Sequence, residues 1–412
     1  MTPFDLSVRF FLQIAFILAI CRLVGWLGTK IGQPQVVGEM IAGVVMGPSV
    51  FGAMLPGAQA WMFPNESKPI IFAVCQIGLA LYMFLIGVEF DWTLIKTRLR
   101  SAAAVSLSGI VAPFILGAGA AYFLKDHWPL FSEKTRLIEA MLFMGAAMSI
   151  TAFPMLARII YERGLSGTSL GTLALAAGSI DDAAAWCVLA IVLASFAGNA
   201  SIAFLAIGGG LLYVVFVILV MRPILTRMAA ATAKRGELTH PMLGLTFMLV
   251  MLGSWFTDVI GIYAVFGAFI LGVAVPKGFF AEQLRIHTEK MTTSFLLPLF
   301  FIYSGLNTKI SLLNNLDLLG VTLLLLFLAV AGKGVACYLA ALASGEPQRD
   351  ALAIGTLMNA RGLMELIILN IGLERGVITP TLFTMMVIMA IVTTLMATPV
   401  FNLVRRNMPR PA

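Results

Sequence analysis

The sequence is poor in charge. Only 11% of its 412 residues are Asp, Glu, Lys or Arg, whereas 60% are hydrophobic. A soluble domain carries about 25% charged residues, so a water-soluble globular fold is excluded. Histidine is scarcer still: His127, His240 and His287 fall in expected loops, and none has a metal-ligand spacing. The four cysteines, Cys21, Cys75, Cys187 and Cys337, all lie inside apolar segments. That placement reads as small core side chains and argues against a disulfide framework or a zinc site. No phosphate-cradling loop, Walker motif or Ser/His arrangement occurs, which argues against an enzyme and against an ATP-driven pump. A channel filter of the TVGYG type is also missing.

What the chain has in abundance is long apolar runs, with a mean hydropathy of +0.98. The runs are continuous and do not alternate over ten-residue segments, so they read as transmembrane helices and not as a barrel. A helix also satisfies its own backbone in lipid. Thirteen segments stand out, at approximately 6–28, 34–48, 69–90, 101–124, 137–162, 168–196, 201–228, 239–257, 260–276, 291–306, 316–344, 350–373 and 379–404. The first has no small-residue cleavage site behind it and reads as a retained helix. The net charge of +7 reflects topology and not nucleic-acid binding. With the N-terminus outside, 18 of the 27 basic residues fall in cytoplasmic loops and tail, against seven on the outer side. The positive-inside bias therefore predicts an N-out, C-in protein of the plasma (inner) membrane. No soluble domain is expected after the last helix, so a regulatory nucleotide-binding module would sit on a separate subunit.

A weak internal symmetry accompanies the runs. The fifth segment is interrupted near Pro154 and the twelfth near Asn359 to Gly362. With the seventh segment as a linker, they hold equivalent places in two six-helix repeats, and an offset of seven helices inverts the second. Paired interrupted helices point to a transporter's binding site.

Charge inside the membrane costs about 2.5–3.5 kcal/mol per residue on insertion scales, so each such residue needs a partner or a hydrated cavity. The deep ones are Asp181 and Asp182 in GSIDDAAAW, Lys333 in GKGVACY, and Arg361 and Glu365. Glu39 lies in the short second segment, while Glu89, Arg158 and Asp258 lie near segment ends. Neighbouring helix positions point about 100° apart, which predicts divided labour for the aspartates: one faces an ion site and the other meets Lys333. A carboxylate there can hold a proton or a monovalent cation but not readily both, and that competition couples the two ions. Gly332 and Gly334 permit close helix approach around the lysine. Arg361 and Glu365, spaced i,i+4, are expected to pair and hold the second interrupted helix in shape. Ser149 and Thr151 lie at the first interruption, where their hydroxyls either ligate a cation or satisfy freed backbone groups.

These motifs resemble those of the monovalent cation:proton antiporters of the second cation/proton antiporter family, close to NapA-type Na⁺/H⁺ antiporters and the membrane part of Kef-type K⁺/H⁺ antiporters. GSIDDAAAW, SITAFPMLAR, GKGVACY, NARGLMELIILNIG, FLIGVEFD and PLFFIYSGLNT carry the resemblance across nearly the whole chain. It implies an all-α membrane fold of 13 helices, with two inverted repeats and crossed broken helices, working as a homodimer. A core (about 101–196 and 316–404) would move like an elevator against a dimerisation scaffold (about 6–90 and 239–306), with 201–228 as linker. By motif position, Asp182 would be the carboxylate shared by cation and proton, and thus the monovalent-metal ligand. Asp181 would pair with Lys333, and Thr151 would face the ion. Kef-type chains carry Gln in place of the first aspartate, and this chain does not. The implied activity is export of a monovalent cation, Na⁺ first, in exchange for H⁺, with no cofactor. The alternatives are K⁺/H⁺ exchange with a regulatory subunit and Na⁺-coupled symport of an organic anion.

Overall fold

The structure, a computed structural model, describes every residue except 1, 34, 91–97, 154–155, 157–158, 161–164, 166–167, 197–199, 261–262 and 406–412. Within helices it leaves undescribed the side chains of 3, 182–183, 186–187, 189–191, 193–196, 200–207, 363 and 405. Pro154 and Arg158, and the side chains of Asp182 and Cys187, lie outside the described residues. The described chain is helical, and its one extended pairing is an isolated bridge between Phe131 and Ile378. Eight of the described helices are long and apolar enough to cross a membrane. Leu137–Ser149 and Ala264–Val273 are shorter apolar helices.

The chain divides into two compact units. The first comprises Met1–Arg22, Met54–Phe90 and Leu193–Tyr303. Its helices touch at glycine: a side chain at Gly87 would stand 2.9 Å from the Cα of Gly272, so Lys68–Glu89 and Ala264–Val273 pack backbone to backbone. Two apolar runs turn out longer than their hydropathy indicated. Ala200–Phe216 continues through a π-turn, Val217–Met221, into Arg222–Arg235. Leu297–Leu306 is likewise preceded by a π-turn, Thr292–Leu296, and by the charged helix Phe279–Met291. Hydropathy missed that helix because Glu282, Arg285 and Glu289 form an ion-paired face on it.

The second unit comprises Leu23–Ala53, Asp91–Val192 and Ser304–Ala412. Its core is aliphatic, built from small and branched side chains such as Ala174, Ala177, Leu173, Ile354 and Leu357. Two of its helical paths are broken. Leu137–Ser149 ends at Ile150, whose backbone is extended, and Gln348–Met358 resumes as Leu363–Glu374. The first break falls at 150–152, within the stretch from Ser149 to Pro154 where the interruption is expected. β-Branched Ile150 and Thr151 have poor helix propensity, which lowers the cost of leaving the helix there.

Candidate functional site

The two breaks meet. The amide of Ala152 donates to the carbonyl of Ala360 at 3.0 Å, so the extended segments cross with a backbone hydrogen bond between them. Each break leaves orphan carbonyls and amides at half-helix ends, which carry opposite partial charge. The charged side chains sit at those ends.

Lys333 is fully buried on the unbroken helix Leu316–Ala343. Its ammonium has three donors, and all three are used. One reaches Asp181 Oδ2 at 2.9 Å and one the Gly109 carbonyl at 3.1 Å. The third goes to the Ser149 carbonyl, the last of the first half-helix. Asp181, 1% exposed, lies on the helix Ser169–Phe196. It also accepts from the Thr151 hydroxyl on Oδ2 and from Ser106 Oγ at 3.3 Å on Oδ1. An ion pair taken out of water is stable only where such extra bonds satisfy it.

The space for the lysine comes from glycine. A Cβ on Gly109 would stand 2.6 Å from Cys337 Sγ and 4.0 Å from Lys333 Cε. Gly332 meets Leu116 in the same way, at 2.6 Å, while a side chain at Gly334 would run into Asn359. Small residues therefore line both flanks of Lys333.

Arg361 is the second buried cation. Its Nη2 donates to the Met148 carbonyl at 2.6 Å and its Nη1 to the Ala147 carbonyl at 3.3 Å. Glu365 is only an ion-pair neighbour, at 3.6 Å. The expected i,i+4 ion pair of Arg361 and Glu365 is present, and the guanidinium in addition clamps the end of the other half-helix. Together Lys333 and Arg361 cap three successive carbonyls at the negative end of Leu137–Ser149. Glu365 stands in the first turn of Leu363–Glu374, where negative charge suits the helix dipole. Thr394 Oγ1 holds the Arg361 carbonyl at 2.7 Å.

Of the predicted site residues, Asp181, Lys333 and Thr151 come together through their side chains, and Ser149 through its carbonyl alone. The Ser149 hydroxyl donates back to the Ala146 carbonyl at 2.9 Å, which satisfies one of the backbone acceptors freed near the break. Asp182 follows Asp181 on the same helix, with its side chain outside the described residues. Glu39 is buried and accepts from Gln35 Nε2 at 2.8 Å. Sequence reasoning missed Ser106 and Gly109. A serine and a glycine in an apolar helix are too common to signal a site, and only the position of the lysine marks them.

The chain matches the model of the transmembrane sodium/hydrogen exchanger family over residues 15–404. It is 41% identical over 406 residues to the Na⁺/H⁺ antiporter NhaS4 of Synechocystis sp., covering 97% of each chain. It is 37% identical over 401 residues to cation/H⁺ antiporter 20 of Arabidopsis thaliana, covering 94% of this chain and 47% of that one; it thus spans about half the length of the plant relative. Among solved structures, the sodium proton antiporter MjNhaP1 of Methanocaldococcus jannaschii superposes with a TM-score of 0.62 at 16% identity, covering 97% of this chain and 98% of that one. At that identity the likeness is one of fold. Since the family match takes in all but the ends of the sequence, and the two crossed breaks and their buried charges lie within it, this chain belongs to the transmembrane sodium/hydrogen exchanger family.

Proposed function

We propose that the chain is a secondary antiporter that exchanges a monovalent cation, Na⁺ in the first place, for H⁺ across the plasma (inner) membrane. The observation that carries this is the buried Asp181–Lys333 pair, 2.9 Å apart, at the point where two broken helices cross. Asp181 has its oxygens committed to Lys333, Thr151 and Ser106. Asp182, about 100° further round the helix, is left to carry the cation or the proton. A carboxylate neutralised by H⁺ has lost the charge that holds an alkali ion, so the two occupants exclude one another.

Partial negative charge from broken-helix carbonyls favours a small cation nearby. Lys333 and Arg361 neutralise the carbonyls of Ala147, Met148 and Ser149. That capping keeps the cation on the carboxylate and not on the helix end. The finer architecture belongs to the same proposal: 13 membrane helices in two inverted repeats, N-terminus outside, a homodimer, and an elevator motion of the core against the scaffold. The two compact units follow that division except that Leu23–Ala53, expected in the scaffold, groups with the core. The relatives are named as antiporters of sodium and of unspecified cations, so the cation is the variable to test.

Purified protein in proteoliposomes with an internal pH dye should show cation-driven proton movement, compared for Na⁺, Li⁺ and K⁺. Asp182→Asn, which keeps the shape and removes the charge, should abolish it for every cation. Normal exchange by that variant would overturn the site assignment.

A further inference from the structure

Glu365 lies beside the crossing and outside the mechanism above. It is 1% exposed, and its closest cation, Arg361 Nη1, is 3.6 Å from Oε1, beyond hydrogen-bond reach. Among the described residues, neither oxygen of Glu365 accepts a hydrogen bond, and Arg361 Nε donates none. The guanidinium is instead turned to the carbonyls of Ala147 and Met148. A buried carboxylate that keeps its charge without a hydrogen bond is costly; the ion pair with Arg361 offsets part of that cost, and a proton offers the alternative way to meet it.

Arg361 and Lys333 are the charged side chains that act on it. Of the helices packed against Leu363–Glu374, Leu137–Ser149 brings only Glu139, which caps the backbone of Arg136 at the opposite end. Pro380–Arg405 has no ionisable side chain before Arg405.

We propose that Glu365 is a second proton-binding group of this transporter, neutral while Arg361 clamps the carbonyls of Ala147 and Met148. The inference rests on the antiport reading and extends it. Loss of the proton restores a carboxylate beside Arg361. A closing movement of roughly 0.7 Å would then make a charge-assisted bond between them, and a guanidinium drawn towards Glu365 changes its hold on the carbonyls of Ala147 and Met148. The clamp ends at Met148, and the next carbonyl, that of Ser149, holds Lys333. Protonation of Glu365 therefore reaches Asp181 through the end of one half-helix. Glu365 is a positioning residue: it acts through Arg361 and does not touch the transported ion.

Infrared spectra of the full chain in lipid, recorded across pH in H₂O and D₂O, test this by comparing the parent with Glu365→Gln. The expected result is a deuterium-sensitive band from a protonated carboxylic acid in the parent that is lost in the variant. The pH dependence of exchange should also become less steep by one proton. A purely structural glutamate would change neither. Identical bands and identical steepness in the two proteins overturn the proposal. Should Glu365→Gln fail to fold, Glu365→Asp should shift the frequency of the same band, and an unshifted band overturns the proposal equally. Cation-driven proton flux by the parent in the same vesicles is read separately. Its absence would sink the antiport reading, while the band alone decides on Glu365.

Discussion

At the scale of single residues, the site is a matter of saturated donors and acceptors. Lys333 has no spare proton, and Asp181 has bonds on both oxygens. Removing one partner of such a buried pair leaves an uncompensated charge, which typically costs about 3–5 kcal/mol. Lys333→Ala should therefore lower thermal stability markedly, while the double variant Lys333→Ala with Asp181→Asn should recover part of the loss. Melting curves of the detergent-solubilised proteins check the order, and a double variant no better than the single would contradict it. Gly109→Ala is the steric counterpart. Its Cβ would stand 2.6 Å from Cys337 Sγ, an overpacking expected to cost about 1–3 kcal/mol and to slow exchange without changing which cation is chosen. Cation competition in the proteoliposome assay separates the rate from the selectivity. Asp181 and Lys333 are visible in the sequence because charge deep in an apolar run is expensive and so needs a reason. Gly109 and Ser106 are not, since their role depends on which helix faces them.

At the scale of elements, the breaks are the informative feature. That both paths would break was readable from Pro154 and from the stretch Asn359 to Gly362, residues that disfavour a helix. The residue at which the first helix ends was less sharply marked, because proline is a louder signal than two β-branched residues. The hydrogen bond between Ala152 and Ala360 was invisible, since backbone atoms carry no sequence identity. The reach of Arg361 from one half-helix to the other was hidden for the same reason. An i,i+4 acid–base pair is a strong local pattern, whereas carbonyl acceptors leave no trace in the sequence. Arg361→Gln should free the carbonyls of Ala147 and Met148. Amide hydrogen exchange in Leu137–Ser149 should then speed up towards its C-terminal end, with exchange in Ser169–Phe196 little changed. Equal protection of the first half-helix in both proteins would count against the clamp.

At the scale of the whole molecule, composition alone established a helical membrane protein, and charge bias predicted its orientation. A cavity of about 570 Å³, lined by Arg100, Ser101, Ser108 and Ser344 among small residues, tests that orientation. It lies at the ends of Leu99–Leu124 and Leu316–Ala343 assigned to the cytoplasm. In a chain whose native cysteines are replaced, Ser108→Cys should react with a membrane-impermeant maleimide in inside-out vesicles and not in right-side-out ones. The reverse pattern would invert the topology. The central claim, however, is that one acidic locus is occupied by a cation or a proton in turn. Its most direct test is the half-saturating Na⁺ concentration of exchange in proteoliposomes, measured as pH is lowered. Simple competition predicts a rise of ~10-fold per pH unit once protons dominate the site, with the maximal rate unchanged, as mass action requires. A half-saturating concentration that stays constant across the same pH range would show separate sites and contradict the account.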